Sequence, residues 1–460
     1  MQFLSRFQKL LVCIFSALAS FLISAVILRY GIGAWPDAWS FWEGSVSLIE
    51  KHSYSYLSGK HIAYWPPLFP FFLAVFQVVL SQTGQALAMA MSACSGLSTF
   101  AWSLYVFKIF EDEGKNKVSA ALVASLLFVP LFVPLGCTLL SSNSLELFFV
   151  GLLFYRITGL SARRTARLAF NDSIILGLIL CASMLTHNSC IVFLGATIII
   201  FYFAAGGSPK QRICACGVIF LISFIPWISI RHYLGQGGSH QLEGGILPVY
   251  HYINQSFYPV GVFFVSTSSV FLQGLVGFVI LSLVLYLAAI GLRSNFLVPS
   301  RLCISFSLIA FAGFFALVNI TPLPNGLDGR YILYLPLAVI PPLFLWARDK
   351  MTVMVFLFFL TTVVSGARIS QRAWHGGTTP LTNQTNEQSP KIIYCRYFLS
   401  ANKDAMAPQG FIRIMPPVYP WGDHWTKNMP WTETGAVVKL FFTPTNENGS
   451  TFVKPLSPAK

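Results

Sequence analysis

Residues 213–230 read ICACGVIFLISFIPWISI and lie between Arg212 and Arg231. The run contains no charged residue, and about 20 apolar residues are what an α-helix needs to cross the hydrocarbon core of a bilayer. Comparable runs recur along the 460 residues, which are 55% hydrophobic and only 10% charged, whereas soluble domains are about a quarter charged. The sequence therefore predicts an all-α polytopic membrane protein and excludes a soluble enzyme.

The balance of charges fits a membrane protein. Thirty Lys and Arg residues against sixteen Asp and Glu residues leave a net charge of +14. Cationic residues concentrate in cytoplasmic loops and beside anionic lipid head groups, so the surplus predicts contact with the bilayer and no nucleic-acid partner. The nine cysteines show no spacing typical of a metal site, and the sequence predicts no metal-ligating residue.

Basic residues also orient the spans. Arg6 and Lys9 place the N-terminus in the cytoplasm, and the basic residues near later apolar runs fit an alternation that ends with the C-terminus outside. The alternation predicts about eleven spans, with boundaries good to a few residues. They are 10–29, 86–107, 118–140, 145–160, 173–187, 189–205, 213–230, 268–292, 302–320, 331–347 and 351–366.

The run 66–80 is ambiguous. It is only 15 residues long and contains Pro66, Pro67 and Pro70, and its length is below the lower limit of roughly 17 residues for a transmembrane helix. If it crossed the membrane, Lys108 behind the next apolar run would lie outside. We therefore favour a segment that lies along the outer interface or re-enters.

This topology divides the chain into two parts. Residues 1–366 are predicted to form a transmembrane domain whose long first external loop, about 30–85, carries juxtamembrane helices. Residues 367–460 are polar and rich in proline, with alternating stretches such as Val437–Phe442. They indicate a small external domain or an extended tail.

The first external loop contains an unusual carboxylate. Asp37 follows the first span and stands among Trp35, Trp39 and Trp42. A charge beside apolar spans is costly unless it is paired or used, and this one can act as a general base toward a hydroxyl or an amine. Alternatively, the tryptophans form an interfacial belt and Asp37 caps a juxtamembrane helix. Glu43, nearly two turns later, either orients an acceptor or is a solvated helix residue.

Other candidates lie on the same predicted side. Tyr64 and Trp65 precede the proline pair, and their rings can stack on a sugar or lie at the lipid head groups. His187 ends a short span and either hydrogen-bonds within a site or is a satisfied structural histidine. The further external candidates are Asn143, Arg231 and Arg330.

The order of these residues resembles the bacterial GT-C glycosyltransferases, the polyprenyl-phosphate-sugar transferases related to protein O-mannosyltransferases and to the lipid A aminoarabinose transferase. The resemblance covers about residues 10–366. Its first part is Asp37, then Ser53-Tyr54-Ser55-Tyr56, then Trp65-Pro66-Pro67-Leu68-Phe69-Pro70. Its later parts are Leu185-Thr186-His187, then Pro226-Trp227 with Arg231-His232-Tyr233, then Gly329-Arg330-Tyr331-Ile332-Leu333 with Pro336.

The resemblance implies a GT-C-like bundle in a bacterial inner membrane. Such an enzyme takes a sugar from a polyprenyl-phosphate donor and transfers it, with inversion, to a lipid, protein or polysaccharide acceptor at the external face. Asp37 would then be the general base. Arg330, followed by Tyr331 and with Arg231 as a second candidate, would bind the donor phosphate.

Two positions depart from the family. Its second external loop usually carries an acidic residue where this chain has Asn143, and Glu146 about a turn later either takes that place or is a polar helix residue. His187 stands where the family often has an arginine. The departures leave the use of a divalent cation open, and the sequence assigns no cofactor.

A polytopic transporter or flippase of a lipid-linked or amphipathic substrate is the alternative. Transporters place ionisable residues near the centres of spans and often show two related halves. In this sequence the polar outliers cluster in predicted external loops, and no repeat stands out, which favours the enzyme. A non-catalytic scaffold also stays open, and it requires that Asp37 be dispensable.

Overall fold

A computed structural model describes most of the first 234 residues and shorter parts of the remainder. The described residues are 6–30, 32–34, 36–55, 61–62, 65–80, 84–113, 120–121, 123–124, 140–160, 166–234, 274–279, 282, 298–320, 334–346, 412–414, 442–447 and 450–455.

The described part of the chain is predominantly helical. Its α-helices are α1 (Arg6–Tyr30), α2 (Pro36–Glu50), α3 (Leu68–Val79), α4 (Gly84–Asp112), α5 (Asn143–Leu160), α6 (Ala166–Thr186), α7 (Ile191–Ala204), α8 (Pro209–Tyr233), α9 (Pro299–Ile320) and α10 (Tyr334–Trp346). A 3₁₀ helix (Asn188–Cys190) joins α6 to α7. The strands are β1 (Ile32–Ala34), β2 (Ile412–Ile414), β3 (Phe442–Glu447) and β4 (Ser450–Pro455).

Three of these helices are long and apolar enough to cross a membrane: Arg6–Ala25 within α1, Ala86–Asp112 within α4, and α8. Apolar stretches of α3, α6, α7 and α9 are shorter. Eight helices coincide with predicted spans, and their bounds differ by at most five residues except at the start of α6, which begins seven residues before the predicted span 173–187. The predicted spans 118–140, 268–292 and 351–366 lie wholly or largely outside the described residues, so the number of spans stays a prediction.

Hydrogen bonds between α1 and α4 settle how the chain between them is arranged. The Ser16 hydroxyl donates to the Gly96 carbonyl (2.7 Å), and the Ser20 hydroxyl donates to the Ser92 carbonyl (3.0 Å). Residue numbers increase along α1 while those of the bonded partners decrease along α4, so the two helices are antiparallel. The segment 31–83 therefore begins and ends at one end of the bundle, here called the loop end. This agrees with the interpretation that 66–80 is not a span by itself.

The directions of α5 and α9 agree with the predicted alternation. The α4 and α5 helices are parallel, since Ser98 bonds to Ser144 and Trp102 bonds to Leu147. The α9 helix runs antiparallel to α5, because Phe154 packs on Phe306 whereas the later Thr158 contacts the earlier Cys303. The N-termini of α4 and α5 therefore point toward the same end of the bundle, and the start of α5 lies beside Ser98 of α4.

Aromatic side chains fill the centre of the bundle. Trp102 and Tyr105 of α4 pack against Phe154 of α5, with ring centroids 5.3 and 5.5 Å from that of Phe154. Phe154 in turn meets Phe306 of α9, and Phe306 stacks on Phe193 of α7. Burying rings of this size gives the bundle a large apolar core.

A turn before α8 shows how local sequence sets the start of a helix. Gly207 has a φ of 104°, which glycine adopts without steric strain. The Ser208 hydroxyl then accepts from the Gln211 backbone N–H, and the Gln211 side chain accepts from the Ser208 N–H (2.8 Å). With Pro209 at the first helical position, this capping box begins the helix that carries Arg231.

The strands are an addition to the predicted all-α architecture. The β1 strand follows α1 and pairs in parallel with β2, with Ile32 opposite Ile412 and Ala34 opposite Ile414. The β3 and β4 strands form an antiparallel pair, which begins at the last residue of the alternating stretch Val437–Phe442. Because β2 pairs with β1, which directly follows α1, residues 412–414 lie beside the first loop at the loop end.

Candidate functional site

A buried carboxylate at the start of α5 is the centre of the candidate site. Glu146 lies in the first turn of α5, where a negative charge is stabilised by the helix dipole. Its Oε2 accepts a hydrogen bond from Asn143 Nδ2 (2.7 Å), and its Oε1 accepts one from Cys190 Sγ (3.1 Å). Asn143 and Glu146 are 5% and 7% exposed. We call Asn143, Glu146 and Cys190 the carboxylate cluster.

The turn that precedes α5 holds Asn143 in place. The Ser141 hydroxyl donates to Asn143 Oδ1 (2.9 Å) and accepts from the Asn143 backbone N–H (3.3 Å). Because its carbonyl oxygen is engaged by Ser141, the amide group of Asn143 presents its NH₂ to Glu146. The position at which the family usually carries an acid is thus occupied by a donor that orients the acid one turn later.

The turn between α6 and α7 carries His187. Its Nδ1 lies 2.5 Å from the Ser189 hydroxyl and accepts from the Ser189 backbone N–H (3.4 Å). Because a backbone N–H can only donate, this contact assigns the ring proton to Nε2. His187 is thereby fixed three residues before Cys190, which bonds to Glu146.

The first loop reaches this turn through Trp65. The ring centroid of Trp65 lies 6.3 Å from that of His187 and 5.2 Å from that of Phe41 in α2. The hydroxyl of Tyr54 donates to the Trp65 carbonyl (3.0 Å), which holds the backbone ahead of α3. Trp65 therefore connects α2 of the first loop to the end of α6.

Asp37 lies in the first turn of α2, directly after Pro36. The helical period puts its position on the same face as Phe41, four residues later, and Phe41 contacts Trp65. The side chain of Asp37 lies outside the described part of the structure. The whole of Tyr64, Arg330 and Tyr331 also lies outside the described residues.

Glu43 differs from the expectation of a solvated helix residue. It is only 6% exposed, because α2 packs against neighbouring segments of the first loop. Two residues along a helix correspond to a rotation of about 200°, so Glu43 lies nearly opposite Phe41 on α2. The structure places Glu43 on a different face of α2 from the one that meets Trp65.

Arg231 in α8 is linked through Trp227 to the turn that carries His187. Its guanidinium lies 4.8 Å from the ring centroid of Trp227, a cation–π contact one turn apart on α8. The Trp227 indole N–H donates to Asn188 Oδ1 (3.1 Å), directly after His187. Arg231 is half-buried, so water and charged groups can reach it.

Sequence reasoning missed Cys190, Asn188 and Tyr334. Tyr334 begins α10, is 4% exposed, and packs its ring on Phe193 at 4.9 Å between centroids. The carboxylate of Glu146 lies near enough to Tyr334 to interact with it electrostatically. A signal was available only for Asn188, because it directly follows the selected His187.

No group of three His, Cys, Asp or Glu side chains within the described ranges is arranged to hold a metal ion. Both oxygens of Glu146 accept hydrogen bonds from donors, which is how a carboxylate is held in a protein network. What the described residues do provide is a buried oriented carboxylate, an imidazole, an indole and a cation at the edge.

The sequence and the fold were compared with known proteins. No protein-family model and no curated protein matches the sequence. Among solved structures, the fold is similar to the crystal structure of the Archaeoglobus fulgidus oligosaccharyltransferase in complex with zinc and sulfate, with 16% sequence identity and a TM-score of 0.48. The match covers 89% of this chain and 59% of that protein, so the chain spans about three fifths of its length.

Proposed function

We propose that this chain is a membrane glycosyltransferase that moves a sugar from a polyprenyl-phosphate donor to an acceptor at the external face. One observation carries the proposal. Residues predicted from four separate stretches of sequence lie close together where the first loop meets the bundle: Trp65, Asn143 with Glu146, His187 and Arg231. Trp65 contacts His187 directly, and the turn 187–190 is linked through Cys190 to Glu146 and through Asn188 and Trp227 to Arg231. The position of Asp37 lies on the α2 face that meets Trp65.

The chemistry proposed for this end is a displacement at the anomeric carbon. Asp37 takes the proton from the acceptor hydroxyl or amine as its oxygen or nitrogen attacks. A bond forms from the acceptor to the anomeric carbon, and the bond from that carbon to the phosphate oxygen breaks with inversion. The electron pair leaves with the polyprenyl phosphate, whose charge Arg330 stabilises, with Arg231 as the second candidate.

The buried residues are proposed to bind and orient. Trp65, with Tyr64 and Tyr331 as further candidates, offers an aromatic surface against which a sugar can pack. Glu146, held by Asn143 and Cys190, accepts a hydrogen bond from a substrate group. His187 donates from Nε2 in the tautomer assigned above. Glu43 remains a proposed acceptor-orienting residue only if α2 presents its other face to substrate.

The test compares wild type with Asp37→Asn in membranes supplied with a panel of radiolabelled polyprenyl-phosphate sugars. Asparagine keeps the size of aspartate and one acceptor oxygen but does not accept the proton. Loss of a general base lowers a rate by roughly 10²–10⁴-fold. Glu50→Gln is the matched control, because Glu50 is an exposed carboxylate at the other end of α2.

The outcomes separate the hypotheses. If wild type and Glu50→Gln transfer label while Asp37→Asn, inserted at equal levels, does not, the proposal stands. Equal transfer by all three would show that Asp37 is not the base. Absence of transfer by wild type across the panel contradicts the enzyme and favours the transporter or flippase, which movement of the labelled lipid between leaflets would reveal.

A further inference from the structure

Two buried tryptophans of the bundle use their indole N–H groups differently. The N–H of Trp102 in α4 donates to the backbone carbonyl of Leu147 in α5 (3.0 Å), an acceptor that does not depend on the side chain at that position. The N–H of Trp227 in α8 donates instead to the side-chain oxygen of Asn188 (3.1 Å). The second hydrogen bond therefore depends on the identity of Asn188, and a change of that side chain removes it.

Asn188 presents its oxygen from an ordered turn. It is the first residue of the 3₁₀ helix between α6 and α7, and Nδ1 of the preceding His187 accepts from the Ser189 backbone N–H (3.4 Å). An indole N–H is only a donor, so the amide atom that faces Trp227 is the oxygen of Asn188. The contact thus fixes the orientation of the amide group as well as that of the indole.

The Trp227 ring is held from two sides. It is 5% exposed, and its ring centroid lies 5.5 Å from that of Phe224, three residues earlier on α8. With its N–H bonded to Asn188, the indole offers a fixed face. The guanidinium carbon of Arg231 lies 4.8 Å from the ring centroid, within the range of a cation–π contact. Donation of the N–H to an acceptor polarises the indole, which increases the attraction of the ring for a cation.

A guanidinium held in this way is suited to bind phosphate. Arginine loses side-chain freedom when it binds an anion, and a side chain that is already positioned loses less. An aromatic ring interacts with the flat face of a guanidinium, whereas phosphate oxygens are bound by the N–H groups at its edge. Arg231 is half-buried, so an anion can approach it.

We infer that Asn188 is a positioning residue of the donor site: by holding the Trp227 indole, it keeps the guanidinium of Arg231 where the phosphate of the lipid-linked donor binds. This inference rests on the proposed function, because it takes the lipid phosphate of the donor as the ligand of Arg231. The same turn carries Cys190, which donates to Glu146 (3.1 Å). The turn therefore links the cation to the carboxylate cluster.

The experiment measures binding of undecaprenyl phosphate to the purified chain in detergent, for single and double variants. Asn188→Ala should raise the dissociation constant about fivefold, which is the effect of one neutral hydrogen bond. In an Arg231→Gln background the same change should raise it by less than about twofold, because the guanidinium that Asn188 keeps in place is already absent.

Two tryptophan variants provide the matched comparison. Trp227→Phe keeps a ring but lacks the N–H, so it should weaken binding at least as much as Asn188→Ala, and the two changes combined should add little further. Trp102→Phe removes the same kind of N–H from the core of the bundle. It should melt several degrees lower than wild type and keep the wild-type dissociation constant.

An effect of Asn188→Ala that keeps its full size in the Arg231→Gln background overturns the inference, because Asn188 would then act without Arg231. Unchanged binding by Asn188→Ala, with or without a lower melting temperature, also overturns it, as does absence of lipid binding by wild type. Transfer of radiolabelled sugar is measured separately. If the binding results are as expected but wild type transfers no sugar, the glycosyltransferase proposal fails while the positioning role of Asn188 stands.

Discussion

At the contact between α1 and α4, serine hydroxyls of one helix donate to backbone carbonyls of the other, as Ser16 does to Gly96 and Ser20 does to Ser92. At the carboxylate cluster, by contrast, Glu146 is bonded by the side chains of Asn143 and Cys190. The two carbonyl acceptors at the helix contact are set by helical geometry. Those at the cluster depend on the identity of each side chain.

We expect the α1–α4 contact to contribute mainly to stability and the carboxylate cluster mainly to the proposed transfer reaction. A donor to a backbone carbonyl can be removed at modest cost, because neighbouring small side chains still allow the helices to approach. An oriented carboxylate loses its direction when any partner changes. We therefore expect substitutions at the α1–α4 contact to change unfolding, and substitutions at the cluster to change transfer.

The largest effect is expected for Glu146→Gln. Glutamine keeps the size of the side chain but turns an NH₂ group toward one of the two donors, Asn143 or Cys190. A hydrogen bond to a charged group contributes roughly 1.5–3 kcal/mol, so the initial rate of label transfer should fall about a hundredfold.

Ser20→Ala is the matched control for that change. It removes the hydrogen bond from Ser20 to the Ser92 carbonyl, and the transfer rate should stay within a factor of two of wild type. Equal losses of transfer for Glu146→Gln and Ser20→Ala would contradict the separation of the two regions.

The second prediction breaks the helix contact by overpacking. A Cβ at Gly96 would lie 2.3 Å from the Ser20 hydroxyl and 3.3 Å from the Ser16 carbonyl oxygen, whereas a Cβ at Gly217 in α8 would meet nothing within 4 Å. Gly96→Val should lower the free energy of unfolding by about 1–3 kcal/mol more than Gly217→Val. Thermal unfolding in detergent measures both, and similar shifts would mean that α1 and α4 are not in close contact.

Much of the fold was accessible from the sequence because the bilayer imposes simple rules. Apolar length predicted the long helices α1, α4 and α8, and basic residues predicted directions that agree with the contacts between helices. The short length of 66–80 favoured a segment that does not cross, in agreement with the antiparallel α1 and α4.

The site was only partly accessible for a physical reason. Unusual polar residues stand out in an apolar sequence, and so Asn143, Glu146 and His187 could be selected. Tyr334 and Cys190 could not, because buried tyrosines and cysteines are ordinary core residues until their partners are known. The pairing of β1 with β2 joins segments far apart in the chain, and no local pattern predicts such a partner.

The third prediction concerns the cation at the edge of the site. Arg231→Gln should raise KM for the donor about tenfold, because it removes a positive charge that is held over Trp227, and the rise should be smaller at high salt. Arg212→Gln is the control, since Arg212 lies at the opposite end of α8 and bonds to the carbonyls of Tyr202 and Gly207. A KM unaffected by Arg231→Gln would remove Arg231 from the proposed phosphate site.

The smallest effect is expected for Ser24→Ala. The Ser24 hydroxyl donates to the Ser92 hydroxyl (2.8 Å), and hydrogen bonds between membrane helices are worth on average about 0.6 kcal/mol. The free energy of unfolding should fall by that amount and transfer should not change. A fall in transfer without a fall in stability would give this contact a role in catalysis. It would contradict the expectation that the α1–α4 contact affects only stability.

The parallel pairing of β1 with β2 has a consequence for biogenesis. Ile32–Ala34 emerges from the ribosome early, whereas its partner Ile412–Ile414 emerges only after all of the predicted spans have been made. The helix that carries Asp37 begins two residues after β1, so the strand before it gains its partner only after residues 412–414 have been synthesised. We therefore expect a chain truncated before residue 412 to insert its helices but to lack the pairing of β1 with β2.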